Sequence, residues 1–307
     1  MPEIDPSVFS PYENELLRAE PLREHAFSLC GGPCSGLFRV KDRSMLATLA
    51  ERCISHNLPF RVFGGLTNVL VSDDGYDGVV LLNRAGTVSH EEDDDGTVLL
   101  KADAGAGMAA VVRYCAEHEI SGFEWAAGLP GTVGGAVYGN AGAFGSDISR
   151  CCRTVSVIDA DGRRRNLSNG DMDFAYRSSL LKRSAGNSVV LHCEFLLKKG
   201  NKADILAKAE EYRTIRKNAQ PVSEHSLGSV FKNPENESAG KLIQAAGLKG
   251  FSIGKATVSM KHANFITTEK GVTAADYHRL VQHVQNCVLD RFGICLEPEI
   301  EMLGFES

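Results

Sequence analysis

Two glycine-rich stretches and four short polar motifs hold the residues of this sequence that could do chemistry. The first stretch is Phe63-Gly64-Gly65-Leu66-Thr67-Asn68-Val69-Leu70. Adjacent glycines after a strand let the backbone close on an anion with its N–H groups turned inward. Thr67 and Asn68 add side-chain hydrogen bonds, although a plain tight turn would use the same residues. The spacing is neither GxGxxG nor a P-loop, which disfavours both of those phosphate-binding folds. The second stretch runs from Gly122 to Gly145 and holds Gly128-Leu129-Pro130-Gly131-Thr132-Val133-Gly134-Gly135-Ala136 and then Asn140-Ala141-Gly142. So much glycine carries a large entropic cost on folding. It makes sense where backbone must wrap closely around a phosphate-bearing ligand. Trp125, Leu129, Val133, Val137 and Phe144 are too apolar for a flexible linker.

The smaller motifs are ambiguous one by one. In Tyr176-Arg177-Ser178-Ser179 an arginine beside an aromatic ring can hold a carboxylate or phosphate, or simply make a surface ion pair. In Gly228-Ser229-Val230-Phe231-Lys232-Asn233-Pro234 the glycine can expose Ser229 at a bend. No GxSxG elbow surrounds it, which argues against a hydrolase nucleophile. A serine can donate a proton where its alkoxide is stabilised, and Lys232, three residues on, is the candidate stabiliser. A turn serine is the bland alternative. Lys261-His262-Ala263-Asn264-Phe265 and Leu296-Glu297-Pro298-Glu299-Ile300 read as surface when taken alone. On an alternating strand Glu297 and Glu299 would share one face.

These motifs need elements to position them. A helix is expected over Ser44 to His56, with Ser44 as cap and Met45, Leu46, Leu49, Cys53 and Ile54 on one face. Phe60 to Phe63 reads as a strand entering the first glycine turn, and Val79 to Leu82 as another. Asp95-Gly96 and Asp159 to Gly162 are turns between strands. Helices are expected at Met108 to His118, Ile205 to Arg216 and Lys241 to Ala246. A longer one runs from Ala274 to Phe292, capped by Thr273 and ended by Gly293, with Tyr277, Leu280, Val281, Val284 and Val288 as its stripe. Leu296 to Leu303 reads as a final strand. Three units follow, at 1–84, 85–218 and 219–307.

Composition narrows the class. The chain has 307 residues, 33 lysines and arginines against 39 acids, and a net charge of −6. That balance argues against a general nucleic-acid binder. Forty-three per cent hydrophobic content is ordinary for a soluble protein. No apolar run is long enough to span a bilayer, and the first residues lack the pattern of a secretory signal. A cytoplasmic location is expected. Nine cysteines with no CxxC pair fit buried thiols in a reducing compartment, with no metal site expected.

In this order and at these spacings the motifs resemble the UDP-N-acetylenolpyruvoylglucosamine reductase family, over roughly Pro21 to Gly304. The most specific pieces are Ala127 to Ala136, Tyr176 to Ser179 and Gly228 to Pro234, with Leu296 to Glu299 matching the family's C-terminal end. The resemblance implies an α+β flavoprotein with a two-part, vanillyl-alcohol-oxidase-like (PCMH-type) FAD-binding domain. A smaller C-terminal α+β domain would bind the UDP-sugar. It implies noncovalent FAD, NADPH as hydride donor and reduction of an enolpyruvyl group to give UDP-N-acetylmuramate. On this basis Gly64, Gly65, Leu66, Thr67, Asn68 and Val69 would hold the cofactor. So would Gly128, Pro130, Gly131, Thr132, Gly134, Gly135, Ala136, Asn140 and Gly142. Ser229 would donate the proton, with Arg177 and Glu299 flanking the substrate carboxylate and Glu299 carrying a raised pKa. Tyr176, Lys232, Asn233 and His262 would contact the substrate, and a monomer is expected.

The span Lys182 to Asn187 is too short for the tyrosine-bearing lid of some members, so the chain resembles the lidless subtype. It departs from the family pattern in two places. Leu66 and Thr67 stand where a third glycine and a serine are usual, and a leucine there is expected to narrow the approach to the pyrophosphate. Ala219 stands where a substrate-binding lysine is frequent, which points to Lys217 or Arg216 as its replacement. Two alternatives remain. One is a sugar-alcohol or lactone oxidase, which often binds flavin through a histidine absent from both glycine stretches. The other is a non-catalytic flavin or UDP-sugar binder.

Overall fold

Three sheets of four or more strands follow one another along the chain. The structure is a computed structural model and describes residues 4–184 and 188–305. The first sheet has the strand order Leu17–Pro21, Pro33–Val40, Tyr76–Asn83, Phe60–Phe63. Its first pair is antiparallel and the others are parallel. A parallel pair needs a crossover connection, and the helix Arg43–Ser55 supplies it. Asp42, not Ser44, caps that helix, its carboxylate accepting from Met45 N at 2.9 Å. Asp42 sits at the extended residue just before the first turn, so its side chain reaches the free N–H groups first. Met45, Leu46, Leu49 and Cys53 are buried as expected, against Phe38, Val79 and Leu81 of the sheet and Ile158, Val189 and Leu191 of the next one.

The second sheet is antiparallel, in the order Arg164–Ser168, Cys152–Ile158, Val189–Lys199, Thr97–Asp103, Val88–Glu92. Helices Met108–Glu117 and Lys202–Ala219 pack on it. The latter starts three residues before the expected Ile205, because Asn201 caps it by accepting from Ala203 N and Asp204 N. The glycine-rich stretch is less open than its composition implies. It contains a short helix, Val133–Tyr138, and contributes Trp125, Val133 and Val137 to the core.

The third sheet runs His225–Ser229, Phe265–Thr268, Ala256–Val258, Ser252–Ile253. Helices Ala239–Ala245 and Ala274–Phe292 cover it. In the longer helix Thr273 Oγ1 accepts from Asp276 N at 3.1 Å, and Gly293 ends it with φ at +69°. Tyr277, Leu280, Val281, Val284 and Val288 are all buried. At about 1.5–3 kcal/mol per large apolar side chain, this stripe is a main source of the unit's stability.

The chain end behaves differently from the expected strand over Leu296 to Leu303. Only Glu301–Leu303 is a strand, and it pairs in parallel with Val69–Val71 of the first unit, Glu301 opposite Val69. Pro298 has no N–H to give a ladder. Around it the segment is held instead by Lys232 N donating to Glu297 O at 2.9 Å and Glu299 N donating to Val230 O at 2.8 Å. Glu297 and Glu299 thus flank Pro298 in an isolated antiparallel bridge to Phe231, outside any continuous strand. Asp73 adds a second tie, its carboxylate accepting from Ala274 N and Ala275 N at 2.9 Å each at the start of the long helix. The C-terminal unit is thus anchored beside the first glycine loop. This is the α+β arrangement that the family resemblance implied. Among the described residues no helix is long and apolar enough to cross a membrane.

Candidate active site

The three units surround a cavity of about 990 Å³. That is at the upper end of small-molecule sites, roughly 300–1,000 Å³, and gives room for a dinucleotide. Both glycine stretches line it, with Gly64 to Val69 on one side and Gly128, Pro130 to Thr132, Gly134 to Ala136 and Gly142 on the other. The two stretches lie against each other. A β-carbon at Gly64 would fall 2.3 Å from Thr132 Oγ1, and one at Gly131 would fall 3.2 Å from Thr67 Oγ1. Gly131 also has φ of +104°, a backbone conformation that a side chain would strain. A cradle made of backbone, with glycine where β-carbons would fill it, suits the close approach of a diphosphate.

Leu66 lies on the cavity wall, yet little of it is exposed. Its backbone takes the left-handed φ of +49° that a glycine would adopt. It is 2% exposed and belongs to a core cluster with Val69, Val80 and Leu82. Burial of the leucine offsets a backbone cost of about 1–3 kcal/mol. Asn140 stands apart from the other cofactor candidates. It is buried, its side-chain nitrogen donates to Ala175 O at 3.0 Å, and its side-chain oxygen accepts from Ser149 N at 3.1 Å. It does not line the cavity and instead clamps the glycine stretch to the Tyr176-Arg177 turn.

Arg177, Glu299 and Ser229 come together on the cavity wall. Arg177 Nε lies 2.6 Å from Glu299 Oε1, and its Nη2 donates to Gly142 O at 3.1 Å. Its φ is +54°, so this turn holds the arginine at a conformational cost. Burial pushes the Glu299 carboxyl above the usual glutamate range, and the charges of Arg177, Lys182 and Lys232 only partly counter this. Ser229 is brought alongside by the hydrogen bond from Glu299 N to Val230 O. A register shift between Ser226 and Ser229, with Gly228 at φ +77°, breaks the strand there and presents Ser229 to the cavity. Asn68 joins this group to the first glycine loop. Its side-chain nitrogen donates to Glu299 O at 3.1 Å, and Glu301 N donates to Asn68 O at 2.9 Å.

Tyr176, Lys232, Asn233 and His262, the expected substrate contacts, lie outside the cavity lining. The Lys232 ammonium, expected to stabilise Ser229, pairs with Glu297. Tyr176 is 55% exposed, with the Arg177 guanidinium over its ring at 5.2 Å. Its hydroxyl accepts from Asn233 N at 3.4 Å. Asn233 in turn accepts from Ala239 N at 3.1 Å. His262 packs edge-on to Phe265, and its Nδ1 accepts from Asn264 N at 3.3 Å. Burial, with the charge of Lys249, holds its pKa below the usual histidine value. The structure also brings in residues the motifs did not single out. Lys182 and Glu301 form an ion pair of 2.6 Å at the cavity wall, and Arg61 lies there too. Lys182 follows the Tyr-Arg motif by five residues, which was the one available signal. Of the short span read as lidless, residues 185–187 lie outside the described residues.

Known proteins share this arrangement. A family model described as an FAD binding domain matches residues 34–168. A second, for the C-terminal domain of UDP-N-acetylenolpyruvoylglucosamine reductase, matches residues 220–303. The chain is 39% identical over 287 residues to the UDP-N-acetylenolpyruvoylglucosamine reductase of Lachnoclostridium phytofermentans, covering 93% of this chain and 92% of that protein. It is 39% identical over 296 residues to the Limosilactobacillus fermentum reductase, covering 96% of each. The crystal structure of the reductase from Thermus caldophilus superposes with a TM-score of 0.77 at 31% identity, over 94% of this chain and 98% of that one. Similarity at this level across more than nine-tenths of the sequence, carried on one three-sheet frame, makes this chain a member of the UDP-N-acetylenolpyruvoylglucosamine reductase family, with an FAD-binding domain in its first half.

Proposed function

We propose that this protein reduces the enolpyruvyl group of UDP-N-acetylglucosamine enolpyruvate to give UDP-N-acetylmuramate, a peptidoglycan precursor. The division at residues 84 and 218 is part of the proposal, as are a cytoplasmic location and a monomeric state. FAD held noncovalently between the two glycine stretches would carry hydride equivalents from NADPH to the substrate's terminal carbon. The chain's own residues do the rest. Addition at that carbon leaves negative charge spread into the substrate carboxylate, as an enolate. Arg177 counters that charge. Glu299, with its raised pKa, stays protonated at higher pH than an ordinary glutamate and then donates a hydrogen bond to the same oxygens. Ser229 gives its proton to the neighbouring carbon, which completes the saturated bond, and recovers one from solvent.

The observation that carries this reading is the meeting of Arg177, Glu299 and Ser229 at one wall of a cavity whose other walls are the two glycine stretches. The test is turnover of NADPH with the enolpyruvyl sugar nucleotide and mass spectrometry of the product. A product heavier by two hydrogens is expected. NADPH consumption with the sugar recovered unchanged would refute the assignment.

A further inference from the structure

Arg216 lies in the last turn of the helix Lys202–Ala219, at the cavity wall. Only 9% of its surface is exposed. Nη1 donates to Gln220 Oε1 at 3.2 Å, and the guanidinium carbon sits 5.6 Å from the centre of the Phe144 ring. Nε and Nη2, the two donors on the opposite edge, are buried without a hydrogen-bond partner. Burial, together with the charge of Arg177, lowers the Arg216 pKa. A cation buried with unpaired donors is among the most unfavourable groups a fold can hold. Lys217, its neighbour, offers no alternative. It does not line the cavity, and its carbonyl accepts from Lys261 Nζ at 2.6 Å on the outside.

The free edge has a specific shape. Nε and Nη2 point the same way from a planar guanidinium, the fork that takes two oxygens of one carboxylate or phosphate. Gln220 fixes the plane from one side and Phe144 covers a face. Phe144 is itself held at φ +53°, stacked on Tyr212 at 4.2 Å. Strain and an unpaired cation thus meet at one point of the wall, which is where a ligand rather than the fold supplies the missing partner.

We propose that the Nε–Nη2 edge of Arg216 binds an oxyanion of the sugar-nucleotide substrate, beside Arg177. This deepens the reading given above and rests on it. Two features favour the substrate over the cofactor. Arg177, facing Glu299, is near enough for its charge to act on Arg216. Gln220, which fixes the fork, opens the segment that leads to Ser229. The cofactor's diphosphate has the same chemistry and is the rival source, because Gly128 lies against Arg216, a β-carbon there falling 3.2 Å from its Cδ.

The experiment compares wild type, Arg216→Met and Arg216→Lys, each loaded with FAD and reduced anaerobically with dithionite, so that no nicotinamide nucleotide is needed. Reoxidation is followed against the concentration of the enolpyruvyl sugar nucleotide, FAD affinity by fluorescence titration, and the melting temperature without ligands. Arg216→Met is expected to raise the half-saturating sugar concentration by about 10–100-fold, the loss of a bidentate charged contact. Arg216→Lys should recover part of this. FAD affinity should change by less than about threefold. The melting temperature of ligand-free Arg216→Met should equal or exceed that of wild type, because an unpaired buried charge has gone. A purely structural arginine would lower it. An FAD affinity that falls by about 10–100-fold while half-saturation holds would give the fork to the cofactor and overturn the proposal. Unchanged half-saturation in a variant that binds FAD normally would overturn it too. Wild-type protein that the sugar does not reoxidise would sink the functional reading with it.

Discussion

Gly64→Ala tests whether the two glycine stretches act as one cradle. The added β-carbon would lie 2.3 Å from Oγ1, 2.5 Å from Cγ2 and 3.0 Å from Cβ of Thr132. Thr132 is 7% exposed, and its β-branched side chain has few rotamers through which to escape. The strain must pass to the backbone of one loop, at about 1–3 kcal/mol for an overpacked site. If that displacement falls on the bound form, FAD affinity drops by about 10–100-fold. Thr132→Ala removes Oγ1 and Cγ2, the two closest atoms. In that background Gly64→Ala should cost much less, with a coupling of about 1 kcal/mol or more between the positions. Quenching of flavin fluorescence gives the affinities, with thermal unfolding in parallel. An equal loss in both backgrounds would show that Thr132 is not the obstacle. Wild-type affinity in the single variant would show that the loops do not pack this way.

Ser229→Ala should slow reoxidation of reduced flavin by the sugar by about 10²–10⁴-fold, the usual range for a lost general acid, while flavin reduction by NADPH stays near wild type. Ser229→Cys should keep more activity, since a thiol still offers a proton; equal rates for wild type and alanine in stopped-flow absorbance would remove Ser229 from the mechanism. Arg177→Ala should impair the sugar half-reaction far more than the NADPH half-reaction. Equal losses in both would point to damage at the Gly142 contact instead. For Glu299 the folded pKa is raised by burial, so the stability associated with its protonated form is full below the ordinary glutamate value and falls as pH rises through the folded value. Wild type should therefore lose melting temperature relative to Glu299→Gln as pH rises across that window, and the sugar half-reaction should decline over the same range in wild type only. Parallel profiles would show that Glu299 does not titrate there.

The parts of the fold that follow local rules were legible in the sequence. Thr273 and Gly293 bracket their helix because capping and left-handed termination depend on adjacent residues alone. The Tyr277 to Val288 stripe needs only helical periodicity. The glycine stretches were legible as a cradle because their cost demands an explanation. What depended on distant partners was not. Lys232 lies three residues from Ser229 but turns to Glu297, brought near only by the return of the chain end. The parallel pairing of Glu301–Leu303 with Val69–Val71 joins segments more than two hundred residues apart. The capping carboxylate of Asp42 outcompeted Ser44 for a geometric reason that the residue types alone left open. That Leu66 would be buried with Val80 and Leu82 depends on strands the glycine motif itself does not contain.

On the proposed mechanism one cavity passes reducing equivalents from NADPH to the enolpyruvyl sugar nucleotide. Anaerobic stopped-flow absorbance of the purified, FAD-loaded protein tests it most directly. The flavin should bleach on mixing with NADPH and recover its oxidised spectrum on adding the sugar, one flavin reoxidised per sugar reduced. Flavin that bleaches with NADPH but is not reoxidised by the sugar, or protein that takes up no FAD at all, would contradict it.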